Sequence, residues 1–241
     1  MPYSKLIALT NPKSSISEIY RIIRTNIMFS SLDRPLKSFL VTSSGPGEGK
    51  SVTAANLAVV FAHSGKRVLL VDADLRKPSQ HHIFDLNNDR GVTSVLLGET
   101  GLEEALHVVP ETRLSVLTTG PIPPNPAELL GSEKMKLFLE ELQGRADLVI
   151  VDTPPLMAVT DAALMATRVD GVVLVLSSGK VKIELARKAK ELLLNVKARI
   201  LGTVLNMVDG SNPDYYYYYY HSGKKKKKFS KSRKLFTGDS R

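Results

Sequence analysis

The stretch that most restricts the fold is SSGPGEGKS, Ser43 to Ser51, set between the apolar run SFLVTS (38–43) and a helical pattern over 50–64. Glycines at 45, 47 and 49 let backbone N–H groups turn inward around phosphate oxygens, and a following helix N-terminus adds partial positive charge. Gly45, Pro46, Gly47, Glu48, Gly49, Lys50, Ser51 and Val52 are therefore expected to contact nucleotide, with Lys50 on the β and γ phosphates and the Ser51 hydroxyl on Mg²⁺. One departure is visible. The usual G-x-x-x-x-G-K-[ST] pattern has glycine where this chain has Ser44. A strand–loop–helix of this kind belongs to a parallel sheet with helices on its faces, so the chain should be an α/β protein.

Short apolar runs continue at RVLLVD (67–72), RLSVLTT (113–119), DLVIVD (147–152), GVVLVLS (171–177) and RILGTVLN (199–206). They alternate with helical patterns at 102–108, 132–143, 160–168 and 182–195, as in a doubly wound, mostly parallel sheet. GPIPPNPAELL (120–130) reads as a proline-stiffened loop. Ahead of the sheet, Ile16, Ile19, Ile23 and Ile27 share one face of a helix over 16–29, with Glu18, Arg21 and Arg24 opposite and Ser15–Glu18 as a capping box. The expected division is a P-loop domain over 1–208 and a flexible tail over 209–241.

Two strand ends are acidic. VLLVDADLR places Asp72 and Asp74, and LVIVDTPP places Asp152, at the strand ends that lie beside the loop in a parallel sheet. A single Asp there can simply begin a turn or cap a helix. Three at one edge beside a phosphate loop indicate Mg²⁺ with a nucleoside triphosphate.

Charge is concentrated at the end of the chain. Residues 221–241 hold nine Lys or Arg and one acid, so +8 of the net +9 lies there, and the other 220 residues carry about +1. Such a segment attracts anionic partners. Six tyrosines, Tyr215 to Tyr220, precede five lysines, Lys224 to Lys228. Adjacent tyrosines point in all directions on a helix and to both faces of a strand, so the run is unsuited to a core. The absence of cysteine excludes disulfides and thiol chemistry, and no apolar stretch reaches the ~20 residues of a membrane span, which together suggest a cytoplasmic protein. His81 and His82 form no metal-ligand pattern and read as surface residues.

GPGEGKS, VDADLR, VIVDTPP and GPIPPNPAEL, with the terminal tyrosines, closely resemble the cytoplasmic catalytic proteins of the bacterial tyrosine kinases encoded with capsule and exopolysaccharide genes. The resemblance spans roughly residues 5 to 220. It implies Walker A, A′ and B motifs at 44–51, 71–74 and 149–152, and a subunit-joining E-x-x-R-x-x-R motif at Glu18, Arg21 and Arg24. It also implies ATP- and Mg²⁺-dependent autophosphorylation of Tyr215, Tyr216, Tyr217, Tyr218, Tyr219 and Tyr220, a ring-forming homo-oligomer, and a membrane-spanning activator. Other protein substrates and peripheral membrane association follow from the same resemblance.

Within that reading, Ser51, Asp74 and Asp152 hold the metal, Lys50 the phosphates, and Asp72 takes the phenol proton, while Asn206 contacts adenine. The polybasic tail offers a contact with an anionic membrane that phosphorylation would cancel. Two other classes compete: a positioning or partitioning ATPase of the same P-loop class, and a nucleic-acid-binding protein with an NTP-sensing body. The first leaves the tyrosines unexplained; the second requires salt-dependent DNA binding by the tail. Eukaryotic-type kinase motifs are absent.

Overall fold

The computed structural model describes residues 5–209. The tyrosine and lysine runs lie outside them. Seven strands form one sheet in the order β3-β4-β2-β5-β1-β6-β7. The central strands are β1 (Ser38–Ser43), β2 (Val68–Asp72), β5 (Leu148–Asp152) and β6 (Val172–Ser177), and each is buried along nearly its whole length. β4 (Leu114–Leu117) and the edge strand β7 (Ile200–Asn206) complete the parallel set.

Alternation along these strands divides the core in two. Phe39, Val41, Leu70, Ile150 and Val173 face α1 (Ile7–Thr10), α2 (Ser15–Phe29) and α3 (Lys50–Ala62). Leu40, Leu69, Val149, Val151 and Leu174 face the other layer. That layer holds α5 (Val92–Leu97), α6 (Leu102–Ala105), α7 (Pro126–Gly131), α8 (Glu133–Arg145), α9 (Asp161–Ala166) and α10 (Ile183–Asn195). α3 is buried on all sides from Thr53 to Ala62 because α1 and α2 cover the face that the sheet does not.

The structure corrects several local expectations. Residues 102–108 are not one helix: α6 stops at Ala105, and Leu106–Val108 form β3, antiparallel to β4. The open edge of β4 offers backbone partners that a helix could not use. The loop over 120–130 contains the start of α7, with Pro126 in its first turn, where proline's fixed φ and missing N–H are harmless. The cap of α2 is Ser14, whose Oγ accepts from Ser17 N at 3.1 Å, so Ser15 is already helical and the Ser15–Glu18 capping box is not formed. On the apolar face of α2, Ile27 is buried, while Ile16 and Ile19 remain exposed. His81, in the short α4 (Gln80–Ile83), is half-buried with its Nδ1 enclosed, and only His82 is a surface residue.

Candidate active site

β1 is flanked by β5 on one side and β6 on the other, so the loop after β1 opens into the crevice where the chain's crossovers change direction. Gly47 and Gly49 adopt positive φ of 75° and 88°, left-handed conformations open to glycine, and Gly49 leads directly into α3. Ser44 and Glu48 form a pair: Ser44 Oγ donates to Glu48 Oε1 at 2.6 Å, and Gly45 N donates to the same oxygen. Glu48 Oε2 accepts from Ser177 N at 3.2 Å. Serine in place of the usual glycine thus supplies a donor to a buried carboxylate that ties the loop to the end of β6. Met157 N and Leu156 N donate to the carbonyls of Ser44 and Ser43, stitching the segment after β5 to the loop.

The three strand-end carboxylates and Lys50 come together. Lys50 Nζ lies 2.9 Å from Asp74 Oδ2, 3.3 Å from Asp152 Oδ1 and 2.9 Å from Ser51 Oγ. Asp72 and Asp152 are register partners on adjacent strands, and both are fully buried. Burial disfavours the charged ammonium of Lys50, but Asp152 and Asp74 outweigh it and hold the pKa above its ordinary value. Burial, then the Asp152 charge, push the Asp72 carboxyl up to about 7. Asp72 Oδ2 accepts from Ser79 N and Gln80 N, and Oδ1 accepts only from Asp74 N, leaving that oxygen capacity for a proton.

Sequence reasoning missed Gln80. Its side chain is wholly buried, with Nε2 donating to Asp152 Oδ2 at 2.8 Å and to the Ser51 carbonyl at 3.1 Å. Its Oε1 is enclosed with no partner. A lone Gln at the start of a four-residue helix carries no chemical signature, and the clue available in the sequence was its distance of six residues from Asp74. Asn206, expected at adenine, ends β7 with its Nδ2 donating to the Glu48 carbonyl at 3.0 Å. Pro46 and Gly47 are exposed at the tip of the loop, and Val52 packs half-buried in the first turn of α3. The helix motif residues are engaged within the chain: Glu18 pairs with Arg21 at 2.6 Å, and Arg24 Nη1 donates to the Val60 carbonyl at 2.9 Å.

The donor set fits Mg²⁺. Asp74, Asp152 and Ser51 offer hard oxygens around the point where a cation, the Lys50 ammonium, already sits. Among the described residues no group of three or more His, Cys, Asp or Glu is placed to hold a metal ion without other ligands.

A family model described as "ParA: NUBPL iron-transfer P-loop NTPase" matches residues 36–237. The tyrosine-protein kinase YwqD of Bacillus subtilis (strain 168) is 57% identical over 201 residues, which cover 83% of this chain and 85% of YwqD. The chain belongs to the bacterial tyrosine kinases. The putative tyrosine-protein kinase CapB of Staphylococcus aureus is 43% identical over 203 residues, 84% of this chain and 89% of CapB. Among solved structures, the chimerical protein CapA2B2 matches with a TM-score of 0.83 at 44% identity, covering 85% of this chain and 90% of that one. The Pyrococcus furiosus cell division ATPase MinD shares the fold, with a TM-score of 0.59 at 24% identity over 70% of each chain. The bacterial tyrosine kinase assignment therefore rests on much closer relatives than the positioning ATPases provide.

Proposed function

We propose that this chain transfers the γ-phosphoryl group of ATP, bound with Mg²⁺, to tyrosine, beginning with Tyr215–Tyr220 of a neighbouring copy. The observation that carries the reading is the convergence of Asp74, Asp152 and Ser51 within 3.3 Å of the Lys50 ammonium nitrogen. Lys50 and the loop amides hold the phosphates, while Ser51, Asp74 and Asp152 hold the ion directly or through water. The ion neutralises charge on the transferring phosphoryl group. Asp72 Oδ1 accepts the phenol proton; a phenol with an ordinary pKa of about 10 is neutral at pH 7, and an acceptor poised near operating pH suits the transfer.

The direction of β7 supports the choice of substrate. It runs parallel to β6 and ends at Asn206 beside the phosphate loop, so the chain leaves the sheet at the catalytic edge. Tyr215 lies nine residues beyond Asn206, an extended reach of roughly 30 Å, about a domain's width. Exchange between subunits of a homo-oligomer joined through Glu18, Arg21 and Arg24 fits that reach. By likeness to CapB and to the CapA2B2 chimera, the kinase acts in capsule or exopolysaccharide synthesis with a membrane-spanning activator, alongside other protein substrates. No helix among the described residues is long and apolar enough to cross a membrane. In this reading the polybasic tail holds the unphosphorylated kinase at an anionic inner membrane face, and phosphotyrosine charge releases it.

Intact-mass measurement of the protein with ATP and Mg²⁺, beside a Lys50→Met variant, tests the proposal. Successive phosphoryl additions mapped to Tyr215–Tyr220 and missing in the variant support it. Steady ATP hydrolysis without additions, even with the activator's cytoplasmic segment present, replaces it with the positioning ATPase.

A further inference from the structure

α10 presents an unusual outer face. Its inner side, with Ala189 and Leu193, is buried against the sheet. On the outer side Ile183, Arg187, Lys190 and Leu194 recur at intervals of four, three and four, so they form a single stripe along the helix. Ile183 is 66% exposed and Leu194 52% exposed, with the two cations between them. Exposed aliphatics occur elsewhere in the fold, but here two of them share one helix face with two cations.

The charge around this stripe is one-sided. From Lys180 to Arg199 the chain has seven basic residues and two acids, a net of +5. The 220 residues before the tail total only about +1, so the remainder of that body is net acidic, and α10 is its positive pole. Among the described residues none of these seven cations forms an ion pair, although nine pairs occur elsewhere in the fold. Glu184 and Glu191 are likewise outside any pair and flank the stripe on one side.

At the C-terminal end of α10 the basic surface closes around a cavity of about 400 Å³, lined by Arg34, Pro35, Thr167, Asp170, Lys197 and Arg199. Asp170 lines the same cavity, its Oδ2 accepting from the N–H groups of Lys37 and Ser38 at 2.8 Å each, so the three cations and this carboxylate leave a net charge of +2 there. Arg199 donates one N–H to the Ser30 carbonyl and keeps its other donors. Three cations around a small polar cavity match the phosphate diester of a lipid headgroup, and the exposed Ile183 and Leu194 match the interfacial layer beneath it.

We propose that the outer face of α10, with the Arg34–Lys197–Arg199 cavity, docks the kinase body on a bilayer of anionic phospholipid. The site belongs to the folded body and is separate from the lysines of residues 224–228. It also stands apart from the phosphoryl-transfer proposal, because docking requires neither nucleotide nor catalysis.

The test uses the full chain and vesicles of phosphatidylglycerol with phosphatidylcholine, beside vesicles of phosphatidylcholine alone. The chain has no tryptophan, so Leu194→Trp adds a single reporter on the stripe at an exposed position. Its emission should shift to the blue with the anionic vesicles only, and brominated lipid should quench it. Each basic residue close to an anionic surface is worth roughly fivefold in binding, so Arg187→Glu with Lys190→Glu should weaken sedimentation with anionic vesicles by at least roughly 25-fold. Autophosphorylation in the absence of vesicles should stay unchanged in that variant, which shows that it folds. Vesicle binding equal to the parent chain, or binding without an emission shift, would assign all membrane attraction to the tail and overturn the proposal. An emission shift that rises with protein concentration and needs no vesicles would make the stripe a contact between copies, and also overturn it.

Discussion

Gly49 and Asn206 lie so close that a Cβ on Gly49 would stand 2.1 Å from Asn206 Nδ2. The last strand of the sheet is thereby pressed against the phosphate loop, with Asn206 bonded to the carbonyl just before Gly49. Gly49→Ala must both strain a φ of 88° and expel the Asn206 amide, costing about 2 kcal/mol and disrupting the loop. Gly65 has a similar φ of 92° with open space around it, so Gly65→Ala bears only the conformational strain, about 1 kcal/mol. Calorimetric titration with ATP should show normal affinity for Gly65→Ala and at least roughly tenfold weaker binding for Gly49→Ala.

Gln80→Leu keeps the volume of a buried side chain and removes its two donations, to Asp152 and to Ser51. Loss of a group that orients metal ligands typically costs 10- to 100-fold in metal affinity or activity. The variant should bind nucleotide normally without Mg²⁺ but lose most of the gain that Mg²⁺ gives the parent chain. An unchanged Mg²⁺ dependence would reduce Gln80 to core packing.

The Asp72 carboxyl, pushed up to about 7 by burial and by Asp152, should set an acidic limb in the reaction. It is protonated below that pH and able to take the phenol proton above it, so kcat/KM for tyrosine phosphorylation should rise between about pH 6 and 8. Bound Mg²⁺ favours the ionised carboxylate, so the limb in kcat should lie at lower pH than that in kcat/KM. Stability runs the other way. A carboxyl raised in the folded state contributes stability that is complete below its ordinary value and is lost as pH rises through about 7, so thermal melting without nucleotide should fall across that window. An Asp72→Asn variant should lack both trends.

Glu48→Ala leaves the Ser44 hydroxyl and the amides of Gly45 and Ser177 without their common acceptor. The expected loss is about 2 kcal/mol, or roughly 4–8 °C in Tm for a domain of this size. Ser44→Gly restores the commoner loop pattern and should cost about 1 kcal/mol in the parent chain but almost nothing when Glu48 is already Ala. Additive losses in that double-mutant cycle would mean that the two residues do not act as a pair.

The parallel sheet, the loop after β1 and the acidic ends of β2 and β5 were legible because their signals are local. An apolar run, three glycines and a strand-end carboxylate each lie within a few residues, and a parallel sheet brings all such strand ends to one edge. The errors fell where a neighbouring element or the local backbone path, rather than residue spacing, decided the outcome. Residues 106–108 have a helical neighbour in sequence but an open strand edge in space, and the backbone took the edge. Ser14 rather than Ser15 caps α2 because backbone geometry, invisible in the spacing, places its oxygen over Ser17 N.

By itself the sequence determined which groups the chain has available: a glycine-rich loop with Lys50 and Ser51, two strand ends with three carboxylates, and a run of six tyrosines. The tertiary structure alone decided how that chemistry is held. Gln80 reaches Asp152 across 72 positions, Glu48 reaches Ser177 across 129, and Asn206 reaches Glu48 across 158. A residue's type states which bonds it can make, but its partner is chosen by the sheet order and by the need to satisfy every buried polar group. Both are properties of the packed fold.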